Sequence, residues 1–333
     1  MIGRHYDGLV MFSGGLDSMV TAHLLKSMGL NVIALHYVLP FYSGFGLPHS
    51  LIRDYAERLD IPLRIEEEGP EFMEMVRAPQ WGFGKNANPC LDCRIHRLVK
   101  AKPVMEEYGA AFIATGEVIG QRPKSQRLEC LQMIVRRTGL DGRLLRPLSA
   151  QMLEETIPEK EGLVDRSKLF AWHGRGRKPQ LEYARTYGLR HNPPAGGCLL
   201  TNEGPSQRYH VLAQKFPQFD FEDFILVAYG RHFILGDRCR LVVARDDYEN
   251  GILEKIVTPG DVQLEPADIT GPLGVVRGEV NDAIIETAAR FVARYSRARG
   301  EETVAVRVFR TGAEISRLTI VPAEPAQCDA CRF

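Results

Sequence analysis

The sequence predicts an α/β fold, a doubly wound and mostly parallel sheet, followed by a smaller C-terminal α+β domain. Three observations predict it. A Gly-rich turn, Ser13-Gly14-Gly15-Leu16-Asp17-Ser18, stands between an apolar run at 8–12 and a helical pattern at 19–28. Runs at 31–38 and 111–115 are near-continuously apolar, as strands buried on both faces are. Beyond residue 230 the pattern changes to short strands and one long amphipathic helix. The 333 residues suit two domains of roughly 150 each. Their boundaries read as 1–204 and 221–333, with a linker at 205–220 marked by Gly204-Pro205 and Phe216-Pro217.

Composition narrows the class. A hydrophobic share of 44% fits a globular protein with a full core. No apolar run reaches the roughly 18 residues of a membrane span, and residues 1–7 do not read as a signal peptide. The expectation is a cytoplasmic protein with no membrane partner. Seven cysteines in such a chain point to reactive or metal-bound thiols rather than a disulfide frame. The net charge of zero is unevenly placed: −5 over 1–76, +10 over 77–215 and −5 over 216–333. A basic centre of that size suits either a polyanion partner or a solvated basic face.

The turn at 13–18 carries the chemistry. A strand, a glycine turn and a helix present backbone N–H groups to phosphate. Gly14 and Gly15 let an anion approach the backbone, and Ser13 and Ser18 add hydroxyl donors. Asp17 beside phosphate calls for Mg²⁺ between the two. The Walker spacing, Gly-x-x-x-x-Gly-Lys-[Ser/Thr], is not met. The hexapeptide Ser13–Ser18 resembles instead the PP-loop of the ATP pyrophosphatases, a HUP-like fold, whose members hold pyrophosphate while AMP is transferred to a substrate.

The next strand ends at His36-Tyr37. Ligands of open α/β sheets lie at the carboxyl ends of strands, so both side chains are candidates for the adenosine of ATP. A helix at 48–59 and a strand at 63–65 follow, and Glu66-Glu67-Glu68 reads as a solvated loop. Cys90-Leu91-Asp92-Cys93 opens a helix that Pro103 is expected to kink or end. A helix N-terminus, Arg94 and Arg97 all favour a thiolate there. A CxxC supplies two ligands only, which suits a redox pair, half a zinc site or part of an iron–sulfur site. Cys130 and Cys239 read as core residues.

The run Thr115-Gly116-Glu117, Gly120-Gln121, Ser125-Gln126, then Leu145-Arg146-Pro147-Leu148, is similar to the bacterial tRNA 4-thiouridine synthetases. With the PP-loop, His36-Tyr37 and the CxxC helix, the resemblance spans about residues 8–200. It implies ATP contacts at Ser13, Gly14, Gly15, Leu16, Asp17, Ser18, His36, Tyr37, Arg94, Gly116 and Gln126. Gly116 would bare its backbone to adenine or ribose, and Arg94 would face phosphate. The turn Pro194-Ala195-Gly196-Gly197-Cys198 falls where those synthetases carry the catalytic cysteine. Cys90, Cys93 and Cys198 together resemble the cluster-dependent tRNA thiolation enzymes, which implies a [4Fe–4S] cluster with one open iron. A metal-free persulfide on Cys198, resolved by Cys93 or Cys90, and a Cys₃ zinc site stay open. The sequence differs from the 4-thiouridine synthetases in opening directly on the PP-loop, so the RNA position and the sulfur donor stay open too.

A basic stretch at Arg136, Arg137 and Arg143 leads to Arg175, Arg177 and Lys178, a loop suited to backbone phosphate. In the second domain, 231–235 and 240–244 read as a hairpin, 249–257 as a helix, 282–299 as the long helix and 303–309 as a half-buried strand. Gly230-Arg231-His232-Phe233 and Tyr295-Ser296-Arg297-Ala298-Arg299 resemble the RNA-binding module of ribosome quality-control factors. RNA contact would then fall to Arg231, Arg294, Arg297 and Arg299; a scaffold or dimerisation domain is the other reading. The Cys328/Cys331 tail reads equally as a sulfur or metal carrier and as a floppy end. The expected function is ATP-dependent tRNA thiolation, with Asp17, Cys198, Cys93 and Cys90 catalytic. Its cofactors are ATP, Mg²⁺ and the cluster. Its partners are tRNA and a sulfur donor (a cysteine desulfurase, sulfide or a sulfur carrier), with a homodimer allowed. A PP-loop ligase or sulfurtransferase on a small molecule and a non-catalytic, ATP-sensing RNA-binding factor are the alternatives.

Overall fold

The computed structural model describes residues 5–40, 50–192, 198–298 and 300–333. The chain divides into two compact units, Met1–Cys198 and Leu199–Phe333. Among the described residues no helix is long and apolar enough to cross a membrane.

The first unit runs β1 (Gly8–Met11), α1 (Leu16–Ser27), β2 (Val32–Val38), α2 (Ser50–Arg58), β3 (Leu63–Glu67), α3 (Pro70–Arg77), α4 (Cys90–Glu107), β4 (Phe112–Ala114), α5 (Leu128–Thr138), β5 (Leu144–Leu145), α6 (Ile157–Lys160) and α7 (Lys178–Thr186). The sheet order is β3-β2-β1-β4-β5, with every pairing parallel. The order reverses beside β1, so a crevice opens at the carboxyl ends of β1 and β4. The residues that form these strands are those the sequence singles out. β2 is buried along its whole length, and Leu9, Val10, Phe112 and Ile113 are fully buried. Gly8 is obligatory, because a Cβ there would meet the Phe112 ring at 2.4 Å. The start of the expected helix at 48–59 lies outside the described residues.

Three local expectations are corrected. α4 passes through Pro103 instead of ending there. Proline in a helix interior costs about 3 kcal/mol, and the burial of Val104 and Met105 beyond it offsets that. Glu66 and Glu67 belong to β3, and Glu68 is only 1% exposed, so the acidic run is not a solvated loop. Cys130 sits on α5, half-buried, its thiol donating to the Lys124 carbonyl at 3.3 Å; the helical spacing of Leu131 and Ile134 places it off the core face.

The second unit runs α8 (Glu203–Lys215), α9 (Phe221–Leu226), β6 (Arg231–Ile234), β7 (Cys239–Val243), α10 (Asp247–Ile256), β8 (Val262–Pro266), β9 (Gly274–Gly278), α11 (Asp282–Tyr295), β10 (Val304–Arg310), β11 (Ala313–Ile320) and α12 (Pro325–Cys331). Its six strands form an antiparallel sheet, β11-β10-β8-β9-β7-β6. The apolar face of α11, with Ala288, Phe291 and Val292, covers the sheet. Most of the stretch expected as a linker is helix. Ser206, Tyr209 and Leu212 recur every third residue and are buried, and Pro205 sits in the first turn, where proline is tolerated. α11 stops at Tyr295, four residues earlier than its periodicity suggests. The Ser296 hydroxyl donates to the Ala293 carbonyl and accepts the Ala298 N–H, which closes the end. The tail is docked: Cys328 is 1% exposed within the core, and the Phe333 N–H donates to the His232 carbonyl at 3.2 Å. Cys239 is a core residue as expected, its thiol pushed up to about 11 by burial.

Candidate nucleotide and thiol site

The turn after β1 is built as a cradle. Gly14 has φ +71°, and a Cβ there would meet Ile52 of α2 at 2.7 Å. Ser13 and Ser18 approach each other through their hydroxyls at 3.2 Å, and the Ser18 hydroxyl also donates to the Gly15 carbonyl at 2.9 Å. The Gly15 N–H is turned onto Ser13 Oγ at 3.3 Å. No side chain caps the N-terminus of α1, so its dipole and first N–H groups face the mouth of the crevice. The Leu16 side chain is buried with Val20, Val118 and Leu148, which leaves only its backbone to the turn. The Asn192 N–H donates to the Gly14 carbonyl at 2.9 Å, and its side chain accepts from Tyr55 at 3.2 Å.

The loop after β4 faces this cradle. A Cβ on Gly116 would lie 2.6 Å from the Asp17 carbonyl, so glycine is required by the close approach of α1 itself. Gln121 Nε2 donates to Asp17 Oδ2 at 2.7 Å, and Gln180 Nε2 of α7 donates to Gln121 Oε1 at 3.0 Å. Asp17 Oδ1 is buried with no partner among the described residues, as is Gln126 Oε1. His36 is 6% exposed and its Nδ1–H donates to the Phe12 carbonyl at 2.8 Å, beneath the turn. Tyr37 points to the other face, with Lys100 Nζ 5.8 Å from its ring centre; burial and Glu68 push its hydroxyl pKa up.

Arg94 does not stand open to solvent. It pairs with Glu117 and reaches the Ser125 carbonyl at 3.3 Å. Glu117 also binds Arg146 at 2.8 Å and Thr115 at 3.2 Å. Burial opposes ionisation of Glu117, yet the two arginines hold its carboxyl below the usual range. Thr115, Glu117, Ser125 and Arg146 of the two motifs are thus tied with Arg94 into one ion network. Removing one member of such a network strands the others, at about 3–5 kcal/mol. Glu117→Gln is therefore expected to destabilise the protein by that order in urea unfolding. Its folded pKa is depressed, so its contribution is present above the unfolded value, near pH ~4.3, and is lost as pH falls through the folded one. The wild type should lose more stability than the variant on acidification below that point.

Cys90 and Cys93 are one turn apart at the start of α4 and half-buried. The expected thiolate bias is corrected at Cys93. Burial pushes its thiol up, Cys90 and Glu68 add to this, and Arg97 and Arg94 only partly offset it. Cys198 ends the first unit, half-buried; the turn 194–197 before it lies outside the described residues. Asn192 is pinned to the cradle, so Cys198, six residues on, starts within about 20 Å of it. Among the described residues no three thiols have their sulfurs within 4.8 Å of one another, so no closed zinc set is formed. Three partly accessible thiols remain a chemically suitable donor set for an iron–sulfur cluster.

Glu68 is a residue the sequence reading missed. Its Oε2 accepts from His96 at 3.0 Å and Lys100 at 2.8 Å, and these hold it below the usual range against burial, which would push it up. Lys100 also binds Glu71 at 2.6 Å, so the cation among Glu68, Glu71 and His96 is a lysine. Arg175 is exposed and Arg177 half-buried just before α7, and the exposed Lys178 is its first residue. In the second unit Arg297 is exposed, Arg294 half-buried and Arg299 outside the described residues. Arg231 is not a free surface cation: it lies 4.6 Å over the Tyr295 ring and donates to the Ala244 carbonyl at 3.0 Å.

A parallel sheet with a glycine turn, a half-buried aspartate and an uncapped helix at its switch point is an arrangement suited to phosphate, and the turn resembles a PP-loop. The particular relatives follow. Residues 3–158 match the family model described as thiamine biosynthesis protein (ThiI), and residues 230–331 match that of the NFACT protein RNA binding domain. Each match covers less than half of the chain, so these are similarities of its two units taken separately. The chain is 32% identical over 141 residues to tRNA-specific 2-thiouridylase MnmA of Rhodopseudomonas palustris, covering 37% of this chain and 34% of that protein. It is 31% identical over 156 residues to the same enzyme of Trichlorobacter lovleyi, covering 44% of each. The chain therefore spans less than half the length of these curated relatives. A solved 4-thiouridine synthetase–RNA complex with bound ATP overlaps 67% of this chain and 53% of that one, at 23% identity and a TM-score of 0.39.

Proposed function

We propose that this protein is an ATP-dependent tRNA thiolase. The ThiI-type match and the thiouridylase relatives support the reaction class. The observation that carries it is the unpartnered, buried Oδ1 of Asp17, two residues after the Gly14-Gly15 turn in the chain, an acceptor with nothing to accept. An unpaired carboxylate oxygen suits Mg²⁺: Asp17 would hold the ion, which when bound would neutralise charge on the leaving pyrophosphate.

Ser13, Ser18 and the first N–H groups of α1 hold pyrophosphate, and His36 and Gly116 bound the nucleoside end. A base carbonyl oxygen attacks the α-phosphorus of ATP, the bond to the β-phosphate breaks, and pyrophosphate leaves. Sulfur then attacks the base carbon, the carbon–oxygen bond breaks, and AMP leaves. In the persulfide form Cys198 bears the outer sulfur. Cys93 or Cys90 then attacks Cys198 Sγ, which frees the sulfur to the base and leaves a disulfide for an external thiol to reduce. In the cluster form Cys90, Cys93 and Cys198 would be the ligands, and the group would supply a site to hold the sulfur. Arg175, Arg177, Lys178 and Arg297 contact RNA phosphates, and the base leaves its stack to reach the crevice.

AMP release measured with and without bulk tRNA tests this. Release stimulated by tRNA, falling steeply with salt as phosphate contacts require, is the expected result. Release stimulated by a small metabolite and indifferent to tRNA supports a small-molecule ligase instead. RNA binding with no AMP release supports a non-catalytic factor.

A further inference from the structure

We propose that Gln121 and Gln180 are positioning residues that hold Asp17 by Oδ2 and keep its Oδ1 as a one-oxygen ligand. The inference rests on the nucleotide reading above and adds two residues to it. A carboxylate oxygen only accepts hydrogen bonds. The 2.7 Å contact to Asp17 Oδ2 therefore requires Gln121 to present its NH₂, and its oxygen must turn the other way. There it meets Gln180 Nε2 at 3.0 Å. The polarity of both amides is fixed from one end of the chain to the other. Gln121 is 7% exposed and Gln180 fully buried, so no solvent competes.

The arrangement has a cost that packing alone does not explain. Gln180 Oε1 is buried without a partner among the described residues, a defect worth about 1–3 kcal/mol. An apolar side chain at 180 would avoid it. What the relay achieves is selective: it takes Oδ2, leaves Oδ1 bare and prevents the carboxylate from turning. The segment that supplies Gln180 is fastened to the same loop. The Gly174 N–H donates to the Ile119 carbonyl at 2.7 Å, and the Ser149 hydroxyl joins the Ile119 N–H to the Trp172 carbonyl. The basic run 175–178 lies between that fastening and Gln180, which places the phosphate-contacting segment two residues from the relay.

The test is ATP binding by calorimetry on the full chain, without tRNA, over a Mg²⁺ series and in EDTA. Gln121→Met is expected to reduce the Mg²⁺-dependent gain in ATP affinity by about tenfold, the loss of one hydrogen bond to a charged group. Affinity in EDTA should stay at the wild-type value. Gln180→Met is expected to act in the same direction more weakly, and to have no effect in the Gln121→Met background. An unchanged Mg²⁺ gain in Gln121→Met overturns the proposal, as does a Gln180→Met loss that persists in full without Gln121, because α7 would then act by packing. If the wild type binds no ATP, the nucleotide reading itself falls. A wild type that binds with a Mg²⁺ gain separates the two failures.

Discussion

Asp17→Asn is expected to lower AMP release on the order of a thousandfold, with little change in unfolding temperature. The substitution keeps the shape of the side chain. The asparagine carbonyl oxygen can still accept from Gln121, so the pair that holds Oδ2 today survives. What changes is the other oxygen, Oδ1, which has no partner among the described residues. A bare carboxylate oxygen becomes an NH₂ whose positive edge repels a cation. Charge then builds on the leaving pyrophosphate with no neutralising partner, and losing one preorganised electrostatic partner costs about 100- to 1000-fold. Single-turnover AMP release with Mg²⁺ varied checks this. Wild-type release from the variant would remove Asp17 from the reaction. A variant that melts well below the wild type would show the carboxylate to be a structural member of the Gln121–Gln180 chain. Because the two outcomes are read in different assays, one cannot be mistaken for the other.

The two kinds of information in the sequence were unequally legible. The parallel strands declared themselves by unbroken apolar runs, and the cradle by two glycines between a strand and a helix. Gly116 is legible within its motif, but its steric constraint is not: that comes from α1 backbone at 2.6 Å, a contact between segments a hundred residues apart. Glu68 was misjudged because three consecutive glutamates look solvated, and only the fold brings His96 and Lys100 onto one of them. Gln121 stood inside a recognisable motif, whereas Gln180 had no local signal at all. α8 was hidden by Gly204-Pro205, a pair that reads as a break but sits in a first turn, where neither residue breaks a helix. Cys93 shows the same limit for electrostatics. The arginines beside it in sequence favour a thiolate, and burial, which no local pattern reports, overrides them.

Cys198→Ser is the second variant with a large expected effect, and it separates the two halves of the reaction. The hydroxyl cannot carry an outer sulfur and is a poor ligand for iron, so thiolated nucleoside should be absent from digested tRNA. AMP release should stay close to wild type, because the cradle residues 13–18 form their contacts without Cys198. Base adenylated and left without sulfur is hydrolysed, which sustains AMP release with no thiolated product. Cys130→Ser is the control: that thiol lies on α5 against the Lys124 carbonyl, outside the proposed donor set. Comparing Cys90→Ser with Cys93→Ser then divides the routes. Three-thiol ligation requires both, so each loss should match that of Cys198→Ser. A resolving thiol requires one of the two, and the other variant should keep making product. Normal product from Cys198→Ser would reject the assigned role outright. Loss of AMP release in the same variant would mean that the segment from Asn192 to Cys198 completes the nucleotide cradle, which the Asn192–Gly14 contact makes a concrete alternative.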